Sequence, residues 1–110
     1  MNTYVDGEPM HGAVHPMPQP ANEQFHTYAF KWEPDRLSWF VDGTLIHMIE
    51  GVQLPQTEQK IYFSLWGSET LTDWMGPFIH PNRPKRMDID WVAFTALGED
   101  CRFPASLLCD

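Results

Sequence analysis

Cationic residues are scarce in this sequence. Seven Lys and Arg stand against fifteen Asp and Glu, for a formal net charge of −8. Nucleic acid and anionic membrane surfaces both attract positive charge, so both are disfavoured as partners. No basic patch stands out, and there is no G-x-S-x-G or phosphate loop. No apolar run approaches the roughly 18 residues of a membrane span. The chain does not open on a charged segment followed by an apolar one, so no signal peptide is read. Cysteine is confined to Cys101 and Cys109, both in the tail. Internal repeats, low-complexity segments and any sign of a second domain are missing, as suits a chain of 110 residues.

What is present is apolar and aromatic. Hydrophobic residues make up 43% of the chain, enough for a core, and aromatics 14%, with five Trp. Trp fills cores, but it also stacks on flat apolar ligand faces, so each one has two readings. Ten Pro and seven Gly argue against long helices and for many turns.

The pattern along the chain is one of short strands. Residues 2–5 read as a strand ended by Asp6-Gly7, and residues 8–24, with four prolines, as a long irregular loop. Residues 25–32 alternate aromatic and polar side chains, as a strand does. Glu33-Pro34-Asp35-Arg36 suits a turn, because Pro presets φ at its second position. Residues 37–41 form the return strand. Asp42-Gly43 then predicts a type I′ hairpin, since both residues tolerate positive φ. Strands follow at 44–49, 61–66 and 87–95, with loops at 51–59 and 67–84. A short helical turn is expected at 106–108. Strand after strand without a convincing helix means an all-β, antiparallel sandwich or barrel.

Several stretches occur together in one order: Asn2-Thr3-Tyr4-Val5-Asp6-Gly7, Phe25-His26-Thr27-Tyr28-Ala29-Phe30-Lys31-Trp32, Trp39-Phe40-Val41-Asp42-Gly43, Leu65-Trp66-Gly67-Ser68, Asp73-Trp74-Met75-Gly76-Pro77-Phe78 and Asp90-Trp91-Val92. This set resembles glycoside hydrolase family sixteen, which includes bacterial lichenases, laminarinases and exopolysaccharide depolymerases. The tail from Cys101 to Cys109 is similar to the rhizobial succinoglycan-depolymerase branch. The resemblance implies a concanavalin-like jelly roll, an antiparallel β-sandwich with a glycan cleft along its concave face. Residues 1–96 would be the C-terminal half of that domain, and 97–110 a tail carrying the two cysteines. The implied partner is a β-linked polysaccharide, joined by the missing N-terminal half or by self-association.

Catalysis in the family comes from a strand carrying E-x-D-x-x-E, whose alternate side chains share one face. Retention of configuration needs two carboxyls roughly 5–5.5 Å apart. No Glu here has Asp two residues on and Glu four or five on. Glu33-Pro34-Asp35 comes closest, but Leu37 and Ser38 follow. The family's catalytic strand lies just upstream of the stretch matching Asn2 to Gly7, so the expectation is a chain that begins after the chemistry. No catalytic residue is assigned. An endo-β-glucanase fragment is the first reading; a non-catalytic, lectin-like glycan-binding sandwich and a non-functional remnant are the alternatives.

By resemblance, Asn2 and Tyr4 share a strand face that touches the sugar; the plainer reading is a polar edge strand. Trp66 precedes Gly67, which leaves space above its ring, and becomes a substrate platform or a core residue. Trp74 lines the cleft or pins its loop. Trp32, Trp39 and Trp91 are expected to pack within strands. Asp88 and Asp90 share a strand face and are read as a solvated strand end or, less readily, a catalytic pair. In the family, the Asp in the position of Asp90 helps to bind a structural calcium with ligands from the other half. Calcium wants several oxygens, and two Asp alone are too few. No cofactor is required for the chemistry. His11 and His15 are separated by Gly12 and followed by Pro16, so they read as surface-loop histidines rather than paired ligands. The complete protein would be secreted or periplasmic. In that setting Cys101 and Cys109 are expected to form a disulfide, whereas a reducing compartment would leave two thiols.

Overall fold

A computed structural model describes residues 1–17, 19–51, 53–103, 106 and 108. The chain divides into two compact units, one of Met1–Thr57 with Ala93–Asp110 and one of Glu58–Val92. As expected, it is built of antiparallel strands with almost no helix.

In the first unit, Asp-Gly pairs make two of the three hairpin turns among the described residues. Strands β1 (Tyr4–Val5) and β2 (Glu8–Pro9) pair antiparallel across Asp6 and Gly7, whose φ angles are 52° and 83°. Two positive φ angles in succession are what a tight type I′ turn demands. The expectation of a strand end followed directly by loop is corrected here: the turn folds back, and Met10 N–H donates to Thr3 O at 2.8 Å.

Strands β3 (Tyr28–Trp32), β4 (Arg36–Val41) and β5 (Thr44–Glu50) form one antiparallel sheet with β4 in the centre. The β3–β4 turn closes through Glu33 N–H to Arg36 O at 2.9 Å and is clamped by Arg36, whose Nε and Nη2 donate to the two Glu33 carboxylate oxygens at 2.8 and 2.9 Å. The β4–β5 turn is Asp42-Gly43, with φ 49° and 80°. Register runs Trp39 opposite His47 and then Phe40 opposite Leu45, so Ile46 is the extra residue of a bulge.

Period-two alternation then sorts the side chains. Leu37, Trp39 and Val41 share one face of β4, opposite Trp32, Phe30 and Tyr28 of β3. Phe30 stacks near Trp39 (centroids 6.4 Å apart), and Trp39 lies 5.3 Å from the His47 ring, giving a cross-strand aromatic row. Trp32 Nε1–H donates to Pro55 O at 3.0 Å, tying the 53–57 segment to β3. Leu37, Val41 and Leu54 are the buried apolar residues among those described. Trp32 and Trp39 thus pack as expected.

The second unit departs from expectation. Residues 61–66 and 87–95 alternate like strands but pair with nothing among the described residues, and no residue of Glu58–Val92 is buried. A strand exists only through its neighbour: its N–H and C=O rows need a partner row. Trp91, expected to pack, is therefore 45% exposed. The expected 67–84 loop contains one helical turn, α1 (Thr72–Met75). Ser68 Oγ accepts from the amides of Thr70 and Leu71 at its start, and Gly76, at φ 79°, ends it before Pro77. The expected turn at 106–108 falls partly on Leu107, outside the described residues.

Candidate functional site

The helical turn sets the main feature of the second unit. It brings Trp74 back against Trp66, with ring centroids 6.1 Å apart and planes tilted by 40°. Trp66 is 53% exposed and Trp74 69%, so both rings present wide faces to solvent. The space beside Gly67 is not open: a Cβ there would lie 2.6 Å from Cε2 of Phe78, so the Phe78 ring fills it. Phe78 in turn meets His80 edge-on at 4.9 Å, and His80 Nε2 lies 3.0 Å from Glu69 Oε1. Gly67 is thus a close-approach glycine that lets Phe78 in.

Asn2 and Tyr4 belong to the other unit. Asn2 spends its side-chain oxygen locally, accepting from Thr3 N–H at 2.9 Å and His11 N–H at 3.2 Å. Tyr4 is 60% exposed on β1. Next to them the 10–17 segment is stitched down by Met1 N to Ala13 O (2.7 Å) and by a 2.6 Å hydrogen bond between Thr3 Oγ1 and His11 Nδ1.

Asp88 and Asp90 are exposed, and Asp88 accepts from Arg86 Nε at 3.1 Å. Among the described residues no three His, Cys, Asp or Glu side chains come together as metal ligands. Two carboxylates fall well short of a calcium shell, so the residues present do not fit that ion on their own. Cys101 is half-buried and has no free thiol, with Thr95 Oγ1 3.9 Å from its sulfur. The expected pairing also involves Cys109, which lies outside the described residues. No helix among the described residues is long and apolar enough to cross a membrane.

Two carboxylates are held below their ordinary range. A hydrogen bond from Arg36 does this to Glu33, and one from His26 to Asp42, aided by the Thr27 amide. The His26 ring is almost fully buried, donates from Nδ1 to Asp42 Oδ2 at 2.7 Å, and leaves Nε2 without a partner. His47 is depressed chiefly by burial, then by the charges of His15, the N-terminus and His11; its ring lies 5.0 Å from that of His15.

Sequence reasoning missed two groupings. His47 carries no sequence signal of its own, and its meeting with His15 and Trp39 depends on the 10–17 loop folding onto β5. Arg83, Lys85 and Arg86 were legible as a run: three of the chain's seven cations fall within four residues. The expectation of no basic patch is corrected, because the overall negative charge concealed a local positive one.

Two tilted, exposed Trp rings on an antiparallel β chain offer a surface on which flat apolar ligand faces can pack. The particular family is shown by comparison. The pattern of glycosyl hydrolases family 16 matches residues 1–93, and the chain belongs to that family. It is 42% identical over 110 residues to an endo-1,3-1,4-beta-glycanase, ExoK, of Rhizobium meliloti (strain 1021), a match covering 99% of this chain and 40% of that protein. It is 37% identical over 95 residues to a beta-glucanase of Paenibacillus macerans, covering 86% and 39%. A beta-glucanase of Brevibacillus brevis is 40% identical over 77 residues, covering 70% and 29%. The chain thus spans at most about two fifths of the length of these relatives.

Proposed function

We propose that this chain is the glycan-holding, C-terminal part of an endo-β-glucan or exopolysaccharide hydrolase, and that it carries no catalytic carboxylate pair of its own. The observation that carries the reading is the Trp66–Trp74 pair, two tilted and exposed rings within the family-matched region. Sugar C–H faces pack on such rings, and the indole N–H groups remain free to bond hydroxyls. The relatives' names support a β-linked glucan as the ligand.

The absence of E-x-D-x-x-E supports the second half of the proposal. A general acid needs a raised pKa, and Glu33 and Asp42 are displaced the other way, locked to Arg36 and His26 as turn clamps. In a complete protein, other segments would supply the nucleophile, the acid and the further oxygens that a calcium at Asp90 requires. Secretion to an oxidising compartment fits the expected tail disulfide. The same absence favours a second reading, a non-catalytic binding module, for the chain acting by itself.

The test is direct. Pure chain should retard in native gels containing lichenan, yet release no reducing sugar from lichenan, laminarin or succinoglycan above a heat-killed control. Turnover would overturn the assignment of no catalytic pair, and unaltered migration would overturn glycan holding.

A further inference from the structure

The chain has five histidines, and two that lie far apart in sequence meet ring to ring. His15 comes from the 10–17 segment and His47 from β5; their ring centroids are 5.0 Å apart and their planes are tilted by 47°. The other three each have a ring nitrogen engaged elsewhere, His11 by Thr3, His26 by Asp42 and His80 by Glu69. His47 Nε2 is shut off from solvent and has no hydrogen-bond partner. A buried polar atom left in that state is costly, and a bound cation offsets the cost. With its proton on Nδ1, the neutral ring offers a lone pair at Nε2.

Both rings are held in place by protein contacts. His47 follows the bulge at Ile46 and stands opposite Trp39, whose ring lies 5.3 Å from its own. The 10–17 segment is tied to the N-terminal residues through Met10 N–H to Thr3 O at 2.8 Å and Ala13 N–H to Met1 O at 2.9 Å. Two imidazoles on one ion have a defined separation. With the ion about 2.0–2.1 Å from each nitrogen, ring centres about 1.1 Å further on and bond angles of about 90–110°, the centroids fall about 4.5–5.2 Å apart. The observed 5.0 Å lies inside that window.

We propose that His15 and His47 form a two-histidine site for a transition-metal ion, Cu(II) most tightly and Zn(II) more weakly, which clamps the 10–17 segment onto β5. Imidazole suits both ions, and Cu(II) heads the affinity order. Water completes the shell: His15 lines a hollow of about 150 Å³ with Met17, Asp42 and Thr44. Calcium is a poor match, because it requires about six to eight oxygen ligands. The site lies within one unit and does not depend on the glycan-holding reading.

The experiment titrates the whole chain, first stripped with a chelator, with Cu(II), Zn(II) and Ca(II). One Cu(II) should bind per chain and quench Trp fluorescence, since Trp39 lies against His47. Pulsed electron paramagnetic resonance should count two imidazoles on the copper. Zn(II) should displace it, and should slow proteolytic cleavage within residues 10–17; Ca(II) should do neither. His15→Ala and His47→Gln should each weaken Cu(II) binding about tenfold or more, because the second bond is intramolecular. His80→Ala, which removes a histidine of the other unit, should leave the affinity unchanged. His15→Ala alters an exposed loop position, so it decides the matter even where His47→Gln unfolds the sheet. Copper affinity that survives His15→Ala, or a signal from a single imidazole, would overturn the site. Ca(II) binding in place of copper would overturn the assigned ion class, and cleavage unslowed by Zn(II) would overturn the clamp.

Discussion

Replacing Trp66 with Ala removes half of the proposed stacking platform, and its cost follows from exposure. A Trp side chain offers up to about 250 Å². At 53% exposure, about 130 Å² of Trp66 is open to solvent. A pyranose covers one ring face, or about half of that. At about 25 cal/mol per Å² the lost contact is worth about 1.5 kcal/mol, roughly a tenfold rise in Kd. Trp66→Phe keeps an aromatic face and should recover most of the affinity. One sugar bridging both rings, 6.1 Å apart, would make the Trp66→Ala and Trp74→Ala costs less than additive. Calorimetric titration of a β-glucan oligosaccharide into wild type, the two single variants and the double variant measures all of this. A Kd for Trp66→Ala within about twofold of wild type, below the factor expected from area, would refute the platform.

Other perturbations follow from the same structure. Leu37, 2% exposed on the central strand, is the most buried apolar residue among those described, so Leu37→Ala should cost about 2–5 kcal/mol. A core this small supplies only about 3–5 kcal/mol, so the cooperative urea transition followed by Trp fluorescence should vanish; an unmoved midpoint would contradict the core assignment. Burial holds His47 below its ordinary value, so the unfolded chain takes up that proton first. Stability should therefore fall as pH drops through about 6.5 and level off below the folded pKa, and His47→Gln should flatten the Tm-against-pH curve between about pH 8 and 5. Tyr28, Phe30, Ile61, Tyr62, Phe63 and Leu65 all stand more than half exposed. Wet apolar surface of this kind drives association, so size exclusion should show oligomers; a sharp monomer peak would show that the chain leaves too little apolar surface exposed to associate.

Local chemistry was legible wherever it is self-contained. Asp42-Gly43 announced its hairpin because few residues other than Gly, Asn and Asp accept positive φ, and the alternation of 25–32 and 37–41 placed Leu37, Trp39 and Val41 on one face without any coordinates. Asp6-Gly7 carried the same signal, but two-residue strands are too short to show a period, so its hairpin went unread.

By itself, then, the sequence determined an all-β, antiparallel chain, its family, and the candidate rings Trp66 and Trp74. Tertiary structure alone decided that those rings meet, because the turn between them depends on the Ser68 hydroxyl holding the Thr70 and Leu71 amides and on the conformation of Gly76. It also decided that Phe78 occupies the space beside Gly67, and that His15 lies against His47. The segments 61–66 and 87–95 show the limit most clearly. Alternation specifies which face of a strand is apolar, but a ladder forms only where a second backbone supplies the complementary donors and acceptors, and no such partner pairs with them among the described residues.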